Sequence, residues 1–426
     1  MADREQVAHL LRRATFGPTQ AEIDAAAGRE YQQVVADLVA PSGTDRKAPP
    51  LPSFATDPYF ERRGMTREER QRARQAARQQ LSALTEAWVR RMAGADHQLI
   101  EKMVFFWHGH WATSAQKVQS APLMRAQLDT LRIYGLGDFA RFAKAMVRDP
   151  ALIFWLDGQR NSRQAPNENL ARELMELFTL GIGAFGEADV KAAARALTGW
   201  TLDRTRGVAV LAENRHARGD KTILGTTEDY DAESLVDLLI SQPAHPRFLA
   251  ARLWRRFGSG ELLPDATRDR MVAAYSPGRD VSAMLTALLT DENFPKTKGQ
   301  LVKQPIEWAV GAVRQLGAEP KTSLLNGVRG MGQLPLRPPS VGGWPTGAAW
   351  LTTSSLQVRM RVAASIAGAL PDRTLALVKK DGVDGLARLL AVDAWTDRTR
   401  QVLTKASGKP QRLVTLALVS PEYAIS

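Results

Sequence analysis

Two stretches constrain this chain more than any other part of it: Phe105 to Trp111, FFWHGHW, and Asn167 to Leu180, NENLARELMELFTL. In the second, Asn169, Arg172, Glu173 and Glu176 recur at three- and four-residue steps, which places them on one stripe of a helix otherwise covered by leucine and methionine. The first sets two histidines among tryptophans and phenylalanines. Polar and ionisable groups in apolar surroundings are costly unless each finds a partner. The two stretches are therefore expected to be halves of one buried polar cluster, and the fold has to bring them together.

The same helical period runs through most of the chain. Residues 4 to 12 read as a helix ending at ThrPheGlyProThr, and Thr19 or Gln20 opens another with Ile23, Ala27, Val34, Val35 and Leu38 facing inward. Met65 to Met92 is the longest pattern, polar in TREERQRARQAARQQ and amphipathic in LSALTEAWVRRMA. A helix from about Gln98 to Trp107 is expected to end at Gly109, and Ser120 to cap the next one with Pro122 in its first turn. Asn167 reads as the N-cap of its helix and Gly181 as the residue past the end. Three regions break the period. Prolines 41, 49, 50, 52 and 58 make residues 41–60 an extended connector. VAVLA and KTILG are β-like runs that predict a hairpin-like excursion near 205–225. Residues 331–350, ending in GQLPLRPPSVGGWPTGAAW, hold too much proline and glycine for a regular element, and ordered loops of that length are often functional. The fold expected is all-α, one integrated multi-helix domain over 1–426 with a small β excursion.

Composition sets outer bounds. A chain of 426 residues, 44% hydrophobic and 24% charged, can bury a sizeable core. Lys+Arg 57 against Asp+Glu 45 gives +12, which suits an acidic partner, although the excess is spread along the chain as general arginine usage would spread it. Its densest part is the ring of Arg67, Arg70, Arg72, Arg74 and Arg78, either a solvated face or a polyanion grip through Arg67, Arg70 and Arg74. Nucleic acid is not the expected partner, because no recognition motif or basic-aromatic alternation is present. The absence of cysteine excludes disulfides, thiolate catalysis and zinc ribbons. MADREQVAHLLRRATF lacks the apolar core of a signal peptide, and no uncharged apolar run approaches twenty residues. The chain therefore reads as soluble, cytoplasmic as it stands and extracytoplasmic if a leader has been trimmed.

The candidate chemistry follows from the two stretches. On a helix His108 and His110 would diverge by about 200°, whereas an extended segment puts both on one face; Gly109 favours an ending there. Such a pair is half a metal site, which Glu173 and His216 would complete around one divalent ion. Glu176 would act as base toward bound water or substrate, Arg172 would pair an anionic substrate group, and Asp189 would assist. Asn169, Trp111, Trp200 and Trp344 would wall the pocket, with the Gly342–Trp350 loop above it. Hydrolysis or oxidation on an anionic or polysaccharide-related substrate is the leading expectation. The alternative is a non-catalytic basic helical protein that binds a polyanion or a partner enzyme, its His/Glu/Arg cluster a structural network. His9 is read as a brace, His97 and His245 as exposed. No GxGxxG after a strand, Walker A loop, HExxH or GxSxG is present.

Taken in order, HLLRRATFGPT, EKMVFFWHGHW, NENLARELMELFTLGIG, DVKAAARALTGW, KTILG, RLWRRF and PPSVGGWPTGAAW resemble the bacterial domain-of-unknown-function 1800 family over nearly the whole chain. The resemblance carries His9, His108, His110, Asn167, Glu168, Asn169, Arg172, Glu173, Glu176, Asp189, Arg195, Gly199, Trp200, His216, Lys221, Gly225, Gly343, Trp344 and Pro345. It implies no particular activity. Members resembling this chain are often encoded beside a second uncharacterised, sulfatase-like family, frequently exported, which implies an extracytoplasmic or polysaccharide-related setting. This chain departs from the pattern with Phe178 and Gln242 where relatives commonly carry histidine, so chemistry shared with them would have to use His108, His110 and His216.

Overall fold

The computed structural model describes residues 3–58, 64–203 and 206–426. Helices make up most of it, and their ends carry the capping chemistry that the sequence announces. Asp3 accepts from the Gln6 N–H at the start of Arg4–Ala14, and Thr66 and Glu69 form a reciprocal capping box at the start of Arg67–Gly94. Ser120 caps Ala121–Tyr134, with proline in its first turn as expected. The single helix read from residue 20 onward is two, Gln20–Ala26 and Tyr31–Val39, broken around Gly28 at φ +80°.

One apolar core runs from Val7 to Tyr423. Its polar ties are equally long-range. Arg12 donates to both Asp393 carboxylate oxygens, at 3.0 and 2.7 Å, and Arg13 to the Gly258 and Thr297 carbonyls. The Arg67–Gly94 helix is exposed over its arginine-rich half and buried over the other through Leu81, Leu84, Trp88 and Met92. It packs on Gln98–His110, Ala121–Tyr134 and Pro305–Leu316. The proline-rich connector has no regular structure up to residue 58, and its last two residues lie outside those described. It is strapped down by Arg91, which donates to Pro49 O at 3.0 Å, and by Arg125, which donates to Leu51 O and Pro52 O.

The β excursion expected near 205–225 is present as two small antiparallel hairpins, and residue 205 lies outside those described. VAVLA and KTILG do not pair with each other. Val208–Leu211 pairs antiparallel with Trp200–Asp203, and Lys221–Ile223 with Thr226–Glu228. Leu224 and Gly225, at φ +50° and +79°, supply the two positive φ values of a tight two-residue hairpin turn, so the second strand closes within KTILGTTE. No helix among the described residues is long and apolar enough to cross a membrane.

Candidate functional site

The Gln98–His110 helix does not stop at Gly109; it continues through both histidines. Their side chains therefore diverge, as the helical period requires. His108 is fully buried, edge-on to Trp88 at 5.3 Å and to Trp344 at 5.4 Å, and neither ring nitrogen has a hydrogen-bond partner. Burial pulls its pKa down to about 3. His110 sits in a second aromatic cage with Trp107, Trp111, Phe178 and Phe248, and its Nε2–H donates to the Phe178 carbonyl at 3.1 Å. Burial and then Arg252 push its pKa well below the usual value. His245, expected on the surface, is wholly buried, with Nδ1 2.9 Å from Thr179 O and Nε2 2.7 Å from the Tyr275 hydroxyl.

The two stretches do pack together, but through the apolar face of the second. Asn169–Glu173 is α-helical and Leu174–Thr179 widens into a π-turn, which is what offers the Phe178 carbonyl to His110. The polar stripe is not in that contact. Arg172 makes a two-pronged pair with Glu187, both bonds 2.8 Å, and a 3.1 Å bond to Glu168, so it clasps the neighbouring Glu187–Ala196 helix at the surface. Glu173 and Glu176 are part-exposed, and Asn169 is exposed. Asp189 caps its own helix through Gly186 N at 2.9 Å and holds the hairpin turn through Leu224 N at 2.7 Å. His216 donates from Nδ1 to Thr198 O at 2.9 Å, Trp200 lies half-buried in its strand, and Trp111 is core. Among the described residues no three histidine, aspartate or glutamate side chains approach closely enough to cage a cation, so the expected ligands His108, His110, Glu173 and His216 do not form a metal site. Arg67, Arg70 and Arg74 are exposed on the first turns of their helix.

What the fold does bring together is a different set of charges from the same motifs. A cavity of about 100 Å³ is lined by Arg13 from RRATFG, Lys102 and Phe105 from EKMVFFW, Arg252, Arg255 and Arg256 from RLWRRF, Glu307, and Trp344 from the Gly/Pro-rich loop. That volume is well above the roughly 10–15 Å³ one water requires. The three arginines of RLWRRF share a face because they stand at i, i+3 and i+4, across the junction where Ala244–Leu253 passes into the π-turn Trp254–Gly258. Such turns are frequent at functional sites. A Cβ at Gly258 would lie 2.5 Å from the Trp254 ring, so only glycine lets that turn close.

Glu307 is the one side-chain carboxylate among these residues. Its Oε1 is 3.0 Å from Lys102 Nζ and 3.1 Å from Arg256 Nη2, and its Oε2 accepts from Gln304 N at the start of Pro305–Leu316. Burial alone would raise its pKa; Arg256 and Lys102 outweigh that and hold it at about 2. Lys102 is pushed down to about 8 by burial against the pull of Glu307, and it also donates to Thr15 O at 2.7 Å. Five cations thus face one side-chain carboxylate. Arg256 has only 9% of its side chain exposed, yet its Nε and Nη2 make no hydrogen bond, the ion pair with Glu307 falling outside hydrogen-bond geometry. Arg252 Nε is likewise unpartnered. Buried donors are ordinarily satisfied, and Arg252 and Arg256 both line the cavity.

Trp344 closes the other side. Its ring stacks on Phe105 at 5.3 Å and 17°. The loop that carries it seats directly on the helix end, because Gly343, at φ +83°, would put a Cβ 2.3 Å from Gly109 O. Of the residues expected at a site, Trp344 lines this cavity, together with Gly342, Thr346 and Gly347 of the loop expected above the pocket. Lys102, Arg252, Arg255, Arg256 and Glu307 were missed. The available signal was a lysine inside the apolar run EKMVFFW and the three-and-four spacing within RLWRRF.

The family model for Protein of unknown function (DUF1800) matches residues 9–425, and the chain belongs to that family. No curated protein and no solved structure matches it.

Proposed function

We propose that this member of a family without an assigned activity works through the arginine-rich cavity, on a small molecule or substrate end-group that carries an oxyanion. Arg252, Arg255 and Arg256 would take the anion, for which planar guanidinium donors are suited. Phe105 and Trp344 would cover its apolar part, and the Lys102–Glu307 pair would keep Arg256 in place. The observation that carries this reading is the convergence of Arg13, Lys102, Arg252, Arg255 and Arg256 on one cavity with Glu307 as the side-chain carboxylate in its lining. A catalytic version has one specific observation behind it. Lys102, at about 8, lies in the range where a lysine exchanges protons near neutral pH, so it would serve as the acid once an incoming anion displaces its bond to Glu307.

Calorimetric titration with inorganic phosphate and sulfate, followed also by tryptophan fluorescence, tests the reading. Hydrogen bonds to a charged group contribute about 1.5–3 kcal/mol. Arg256→Gln should therefore weaken binding at the cavity roughly tenfold to a hundredfold. Undiminished affinity in a folded Arg256→Gln variant would overturn the proposal.

A further inference from the structure

A second basic site lies apart from the cavity, on the arginine-rich helix. A groove of about 460 Å³ runs between the exposed half of Arg67–Gly94 and the start of the Gly/Pro-rich loop, and its lining includes Arg74, Arg78, Arg337, Gln116 and Gln119 but no carboxylate. Arg74 and Arg78 are one helical turn apart on one face, a rise of about 6 Å, above a floor of Ala77 and Leu81. Arg337 comes from the loop, whose position is fixed where Ala115 N donates to Leu336 O at 2.8 Å. None of the three guanidiniums has a carboxylate partner among the described residues.

Holding them together runs against two physical costs. Like charges repel: burial, then Arg329 and Arg78, draw the pKa of Arg337 below the usual arginine value. Backbone strain adds to this, since Leu336 at φ +66° and Gln119 at φ +53° occupy the left-handed region that side chains other than glycine rarely adopt. Both residues sit at the groove, one beside Arg337 and one in the lining itself. A merely solvated face needs neither, because exposed arginines on a lone helix can splay apart. Gln119 is the left-handed C-cap of Ala115–Val118; three guanidiniums in one groove with no carboxylate in its lining are what an opposite charge requires.

We propose that the Arg74–Arg78–Arg337 groove binds a tetrahedral oxyanion, a phosphate or sulfate group, independently of the cavity at Arg256. The carboxamide of Gln116 supplies a neutral donor beside the three cations, while Gln119 Nε2 donates to Gln116 O at 3.2 Å. Of the arginines the sequence offered for polyanion binding, Arg74 belongs to this groove; Arg67 and Arg70 do not line it.

The test uses the full chain and two probes, inorganic phosphate and inorganic sulfate, with acetate as a singly charged control. Calorimetry of the native protein should show two classes of site for at least one tetrahedral probe, the tighter probe naming the source. Arg78→Gln/Arg337→Gln should remove one class and leave the other, while Arg256→Gln removes the class that remains. The double variant should also melt at a higher temperature than the native protein without anion, because repulsion is relieved, and lose the anion-dependent rise assigned to the groove. Two site classes persisting in a folded Arg78→Gln/Arg337→Gln variant would overturn the proposal, as would a single class in the native protein that is abolished by Arg256→Gln alone. In the second case the cavity proposal stands and the groove proposal falls.

Discussion

The Asn167–Leu180 helix and the RLWRRF cavity carry similar residues to opposite effect. On the first, charge is balanced locally: Arg172 spends its donors on Glu168 and Glu187 at the surface, and the helix buries its apolar side. In the second, cations from distant parts of the chain line one cavity, Arg13 and Lys102 buried, Arg252 and Arg256 part-buried and Arg255 exposed, and they outnumber the side-chain carboxylate among them. A row of ionisable residues at helical spacing is thus a poor guide to function by itself. The informative feature is an imbalance that burial makes expensive and that the protein has not corrected.

The largest expected effect is at the one carboxylate in that imbalance. Glu307→Gln keeps the size of the side chain but leaves Lys102 and Arg256 without their shared counter-charge. Breaking a buried pair from one side costs about 3–5 kcal/mol, so urea denaturation at neutral pH should show a loss of that order. Phosphate should restore part of it, since saturation to about a hundred times Kd adds about 2.7 kcal/mol. A variant as stable as the native chain would mean that Glu307 does not hold these cations, and the contrast between the two regions would collapse.

The histidines give a smaller effect with a defined sign. An unfolded histidine titrates near 6.5, whereas burial keeps folded His108 and His9 neutral down to about 3 and His245 to about 4. Below 6.5 the unfolded chain takes up protons that the folded chain refuses, so stability falls as pH falls. At pH 5 each such ring accounts for about 2 kcal/mol, from 1.36 kcal/mol per unit. The loss of stability between pH 7 and pH 5 should be smaller by about that amount in His108→Phe, with phosphate binding retained. An unchanged pH slope would show that the ring is not kept neutral by burial; loss of anion binding would return His108 to the site.

That outcome bears on what could be read from the residues. The all-α fold was legible because caps and periods are local: Ser120 marks a helix start that the structure keeps. The histidine pair was misread because Gly109 was taken as a stop. Glycine inside a helix costs only about 1 kcal/mol against alanine, and burying the flanking aromatic side chains outweighs it. The Trp344 loop closes onto the helix there through Gly343, whose Cβ would lie 2.3 Å from Gly109 O. The β excursion was legible from its β-like runs, but its partner strands were not, since the tight turn at Leu224–Gly225 needs a leucine at positive φ, which propensity argues against. The cavity itself was out of reach, because Lys102, Arg256 and Glu307 meet only in three dimensions. The motifs that carry the family resemblance did converge, through residues other than the ones their chemistry suggested.

The smallest expected effect is the sharpest test of the contrast. Arg172→Ala removes a guanidinium with both of its carboxylate partners at the surface, where ion pairs contribute little. Its denaturation midpoint should match that of the native protein within error at moderate salt, and its phosphate affinity should be unchanged. The same substitution at Arg256 removes one of the two cations paired with Glu307. If Arg172→Ala instead weakened phosphate binding tenfold while Arg256→Ala did not, the stripe on Asn167–Leu180 would be the working surface after all. The unfilled donors of RLWRRF would then be a feature of packing, and the physical rule drawn from the comparison would be reversed.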